Sequence, residues 1–163
     1  MIWRTALASV AMLLLASGPV HAQSAVRIEA GALVLPAPVR FESGTDVLAK
    51  GSDEGLSQVA QFLAEKSYIS LLRIETNASM LPDRDANLAL GTARAKRLSA
   101  WFEAHGIDCK RLILVTFGQD KPVAAGRSEE NERVEFRPAK LRGLAIGGMP
   151  VDGGGMVVQP PCP

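Results

Sequence analysis

Residues 85–108 read DANLALGTARAKRLSAWFEAHGID, and this stretch decides the fold. Leu90, Ala93, Leu98, Trp101 and Phe102 recur at helical spacing and predict a wide buried face on a long helix from about Asp85 to His105. Gly106 is placed as the left-handed residue that ends it, with Ile107 as the apolar contact that follows. The next run, Arg111 to Phe117, carries Leu112, Leu114 and Thr116 on one side and reads as a strand.

Working outward toward the N-terminus, Ile69 to Glu75 is a strand with Leu72 and Ile74 on one face. A loop containing Asn77, Pro82 and Asp83 joins it to the long helix. Before it lies a first helix, with Ser52 placed as N-cap and Asp53 and Glu54 in the first turn. Its stripe is Leu56, Val59, Ala60 and Leu63, at i, i+3, i+4 and i+7. Val39-Arg40-Phe41 alternates as a strand that ends at the turn Ser43-Gly44-Thr45. Toward the C-terminus, Gly118 to Gly126 is a turn-rich connection and Arg133 to Arg137 a final strand. The order is β-α-β-α-β-β over residues 39–140: an α/β (α+β) two-layer sandwich, two helices packed on one mixed sheet.

The flanks differ in character. Arg4 is the one charge before the apolar run Ala6 to Ala16, which Ser9 alone interrupts. Ser17-Gly18-Pro19 then breaks any helix, and Val20-His21-Ala22 supplies a small-x-small cleavage pattern. Residues 1–22 are therefore expected to be an export signal, too short in its apolar part to span a bilayer. No cysteine follows the cut, so a lipid anchor is not expected. Residues 23–38 are expected to hold a short leading strand and a connection closed by Pro36 and Pro38. Residues 141–163 are rich in glycine and proline, nearly uncharged, and expected to be a flexible tail.

Loss of residues 1–22 leaves balanced charge, which argues against electrostatic affinity for nucleic acid or anionic membrane. Cys109 and Cys162 are the two cysteines of the chain. In an oxidising compartment they favour a disulfide, the alternative being a buried free Cys109 and a loose Cys162. Two cysteines and one histidine beyond the leader make no metal site. His105 and Cys109 are separated by the helix-ending Gly106, and no third group orients them, so they read as a helix-end histidine and a disulfide cysteine rather than a nucleophile pair. Phosphate-binding loops and nucleophile elbows are absent from the sequence. The chain reads as a binding protein without a cofactor, not an enzyme.

Four short patterns fall in order around these elements. Asn87, Leu90, Gly91, Arg94 and Ala95 lie on the long helix. Gly106-Ile107-Asp108 and Arg111-Leu112 follow it. Gly118 and Pro122 frame the next turn, and Asn131, Arg133, Val134 and Glu135 open the last strand. Together they resemble the OmpA C-terminal-like family over roughly Val39 to Arg137. Three positions depart from its pattern: Gln119 replaces a glutamate, Glu132 the first arginine of Asn-Arg-Arg-Val-Glu, and Ser79 the aspartate of Gly-His-Thr-Asp.

That resemblance implies non-covalent binding of peptidoglycan through the diaminopimelate residue of the peptide stem, in the periplasm and in association with the wall or outer membrane. The free end of diaminopimelate carries an ammonium and a carboxylate on one carbon. A guanidinium binds the carboxylate with two parallel hydrogen bonds, and an acid accepts from the ammonium. By correspondence with the family Arg94 takes the first role, Asn87 lines the same pocket, and Ser79 stands where the acid is expected. Arg133 is a further candidate. Ser79 accepts a hydrogen bond but brings no charge; Asp83 and Asp85 are the acids in the same loop. The second reading is a degenerate domain that keeps the fold and binds a protein partner in the cell envelope.

Overall fold

The computed structural model describes residues 26–146, 153–158 and 162; the expected export leader lies outside them. Strands β1 (Arg27–Glu29) and β2 (Ala32–Val34) form an antiparallel hairpin. Ala30 and Gly31 reverse the chain between them at φ 47° and 75°, the doubly left-handed backbone of a two-residue hairpin turn. The expected single leading strand is thus two, and Leu33 of the second is buried in the core.

Helix α1 (Ser52–Glu65) buries Leu56, Val59 and Leu63 completely. Its N-cap is Gly51, not Ser52. Ser52 Oγ instead accepts from the Arg40 N–H at 3.0 Å and donates to the Arg40 carbonyl at 2.8 Å. This explains why Val39-Arg40-Phe41 does not become a strand of the main sheet. The backbone of Arg40 is already bonded to Ser52 and Ala49, and Phe41 makes only an isolated bridge to Leu48.

Strand β3 (Ile69–Asn77) is followed by helix α2 (Arg84–Ala104) and strand β4 (Leu112–Gly118), which pairs parallel to β3. Asp83 caps α2 by accepting from the Ala86 N–H at 2.9 Å. At the other end Gly106, at φ 82°, donates to the Glu103 carbonyl, and Ile107 to that of Phe102. This is a Schellman termination with its apolar contact, since Ile107 is buried. Strand β5 (Val134–Leu141) lies antiparallel on the other side of β3, followed by β6 (Leu144–Ala145).

The five-stranded sheet runs β6-β5-β3-β4-β7. Its last member, β7 (Met156–Val157), comes from the segment expected to be a flexible tail. The correction has a physical cause. Without β7, the outer edge of β4 would expose unpaired backbone groups; Val158 donates to Leu114 at 2.9 Å and is itself buried. Glycine here serves close approach: a Cβ on Gly155 would stand 2.5 Å from Val115 Cγ1, and one on Gly153 would stand 2.8 Å from Arg73 Cζ. A disulfide joins Cys162 to Cys109, which sits in the short helical turn before β4, across 53 residues of sequence with Cα atoms 5.3 Å apart.

Both helices lie on one face of the sheet, where Leu72, Ile74, Leu114 and Phe136 meet Leu56, Leu98 and Phe102. Helix α2 presses closest at Gly91, whose carbonyl accepts from Thr76 Oγ at 2.8 Å and whose absent Cβ would overlap Thr116 Oγ1. Gly91→Ala is therefore expected to lift the helix off the sheet, lowering stability by about 1–3 kcal/mol; a urea midpoint unchanged from wild type would refute the close contact. Reduction of the disulfide releases a 53-residue loop and is expected to lower stability by about 4 kcal/mol in the chain-entropy model. Urea melts with and without reductant, with Cys162→Ser as control, measure it.

Candidate functional site

The buried stripe of α2 is Asn87, Gly91, Arg94, Ala95, Leu98, Ser99 and Phe102. Leu90, Ala93 and Trp101, expected on that face, are only half-buried. The helix thus turns several polar side chains toward the protein, and two of them are the candidate ligand residues.

Arg94 is 2% exposed. Its guanidinium lies beneath the loop that follows β3. Nε donates to the Thr45 carbonyl at 2.8 Å, and NH1 and NH2 reach the carbonyls of Asn77 and Glu42 at 3.4 Å. Phe41 stacks its ring 5.0 Å from Arg94 Cζ. The decisive partner is Glu132, whose Oε2 accepts from NH1 at 2.6 Å. The other oxygen, Oε1, accepts from the Ser79 N–H at 2.5 Å. One carboxylate therefore joins Arg94 on α2 to Ser79 in the loop after β3.

Ser79 and Asn77 are buried, and their own polar atoms, Ser79 Oγ and both amide atoms of Asn77, have no hydrogen-bond partner among the described residues. Buried polar groups left this way are rare and call for a ligand or water. Asn87 is in the opposite condition. It accepts from the Leu81 N–H, and its Nδ2 donates to the Leu81 and Asp83 carbonyls and to Gln119 Oε1, all within 3.0 Å. Its amide is fully used in clamping the loop to α2. Neither loop acid reaches the site: Asp83 caps α2, and Asp85 is exposed beside Arg84.

Arg133 is not brought to Arg94. It joins a charged network built on β3 and β5. Glu75 lies opposite Glu135 in register and Arg73 opposite Arg137, a like-charge arrangement unfavourable in isolation. Pairs two residues apart along each strand, together with Lys121, neutralise it. Glu75, fully buried, accepts from Arg73 Nε at 2.6 Å and from Lys121 Nζ at 2.6 Å. Glu135 accepts from Arg133 Nε at 2.8 Å and from Arg137 NH2 at 2.6 Å. Burial pushes the Glu135 carboxyl up, but the bonds from Arg137 and Arg133 and the charge of Lys121 outweigh it and hold it below its usual range.

A cleft of about 400 Å³ opens beside the site, between Leu33–Arg40 and the start of β5; Arg40, Glu132 and Arg133 are among its lining residues. Reading the sequence alone found Arg94 and Ser79 but missed Glu132 as the group between them. The available signal was the acid at a position where the resembling family has an arginine.

Comparison with known proteins places these residues in context. The sequence profile of the OmpA family matches residues 40–135. The peptidoglycan-associated lipoprotein of Pseudomonas putida is 37% identical over 68 residues, which cover 39% of this chain and 41% of that protein. The chain thus spans about two-fifths of the length of that curated relative. Among solved structures, the peptidoglycan-associated lipoprotein of Burkholderia pseudomallei superposes with a TM-score of 0.54 at 25% identity, over 63% of this chain and 88% of that one. The OmpA-like domain of FopA1 from Francisella tularensis shares the fold, with a TM-score of 0.57 at 19% identity over 68% of this chain and 75% of that one.

A carboxyl held below its usual range contributes stability above that range and loses it as the pH falls through its folded value. Wild-type stability is therefore expected to decline on acidification partly through Glu135. Glu135→Gln should flatten this decline as the pH falls from neutral through and below the usual carboxylate range, measured as urea midpoints; parallel curves would remove Glu135 from the account.

Proposed function

The chain belongs to the OmpA family, and on that premise we propose that it binds peptidoglycan non-covalently in the cell envelope through the diaminopimelate residue of the peptide stem. The family is one of binding domains rather than enzymes. Among the described residues no helix is long and apolar enough to cross a membrane.

One observation carries the proposal. Arg94 holds a buried guanidinium against a carboxylate, beside Asn77 at the end of β3 and Ser79 in the loop after it, which keep unpaired buried polar atoms. A guanidinium pre-aimed by three backbone carbonyls loses little freedom on gripping a carboxylate. The unpaired atoms supply the further hydrogen bonds that an ammonium or amide needs. Asn87 acts indirectly, by holding the loop in place. Arg133 is engaged by Glu135 through Nε, while its NH1 is buried without a partner and it lines the cleft beside Glu132, so it remains a second donor for the ligand.

The alternative, a domain that has given up the wall for a protein partner, is favoured by the same ion pair, because Glu132 already neutralises Arg94. The two readings separate in one experiment. Purified protein is expected to co-sediment weakly with diaminopimelate-type sacculi, and Arg94→Ala to abolish this while circular dichroism confirms the fold. Equal sedimentation of the two proteins would remove the pocket, and absence of sedimentation for both would favour the protein-partner reading.

A further inference from the structure

We infer that Glu132 is a built-in occupant of the anion site, a carboxylate of the chain itself that competes with a ligand carboxylate and so sets the affinity of the pocket. The inference rests on the reading of Arg94 as the carboxylate-binding residue.

A ligand carboxylate entering beneath the loop after β3 would need hydrogen-bond donors. Two such donors are the Arg94 guanidinium and the backbone N–H of Ser79. Both are taken by Glu132, one oxygen each, at 2.6 Å and 2.5 Å. No other acid bonds to the Arg94 guanidinium among the described residues. The remainder of the site looks unfilled: Ser79 Oγ and the Asn77 amide are buried without partners directly beside an ion pair that is itself satisfied. A site evolved only as a structural joint would bury apolar atoms there or pair these groups.

Glu132 also has somewhere to go. It is about 10% exposed, and it lines the cleft that also includes Arg40, an exposed arginine whose side chain has no hydrogen bond or ion pair to give up among the described residues. A ligand carboxylate takes over the two donors as Glu132 swings toward that cleft. Exchange of one carboxylate for another leaves the charge around Arg94 unchanged, so the guanidinium is never left buried and alone. The competition weakens binding without preventing it.

The test titrates free meso-diaminopimelate, followed by calorimetry, into wild type, Glu132→Gln, Glu132→Ala and the double variant Arg94→Ala with Glu132→Ala. Glutamine preserves the shape and removes the charge, so it remains informative if the alanine variant is poorly folded. Both single variants are expected to bind roughly tenfold to a hundredfold more tightly than wild type, the worth of one charge-assisted contact, and the double variant to lose the gain. Equal affinity of wild type and the single variants, with loss in the double variant, would overturn the competition and leave wall binding standing. Absence of binding in every protein would overturn both.

Discussion

The loops around the candidate site depend on where a single guanidinium is held. Arg94 lies in the helix–sheet interface, where a charge is tolerated only if it is paired and fully hydrogen-bonded. Glu132 pairs it, and the carbonyls of Glu42, Thr45 and Asn77 take the other donors. These partners come from three separate stretches of chain, so the arginine ties the loop after Phe41, the loop after β3 and the approach to β5 to one helix. Removing either member of such a pair typically costs about 3–5 kcal/mol. The joint is therefore structural and chemical at once, and the loop over it is positioned before any ligand arrives.

The long helix and the two strands around it were legible because their determinants are local. The Gly106-Ile107 termination and the alternation of Leu72 and Ile74 each act within a few residues. The rotational setting of α2 was less legible. Apolar periodicity pointed to Leu90, Ala93 and Trp101, whereas the face turned inward carries Asn87, Arg94 and Ser99. A polar residue with a distant partner cannot be told from a solvated one by spacing alone, since its burial depends on what the fold brings to it.

The same limit governs the site. Arg94 was found through resemblance, and Ser79 by its departure from a pattern. Glu132 lies 38 residues beyond Arg94 in sequence, and no periodicity joins the two. The strand at Val39–Phe41 failed for a related reason: Ser52 competes for the backbone of Arg40, a side-chain bond across 12 residues. The C-terminal glycines misled in another way. Composition treats glycine as disorder, while here its lack of a side chain admits backbone onto a crowded sheet.

That last arrangement bears on how copies of this domain coexist. A sheet with a long bare border is a template for lateral growth, since its free N–H and C=O groups accept any passing strand. Here two-residue strands cover part of each border, β6 pairing with Lys140 and Leu141 of β5 and β7 with Val115 and Thr116 of β4. The disulfide fastens the chain beyond β7 to the turn that begins β4. At the paired positions the backbone groups are already bonded, so a strand from a crowded neighbouring copy finds no free ladder there to extend.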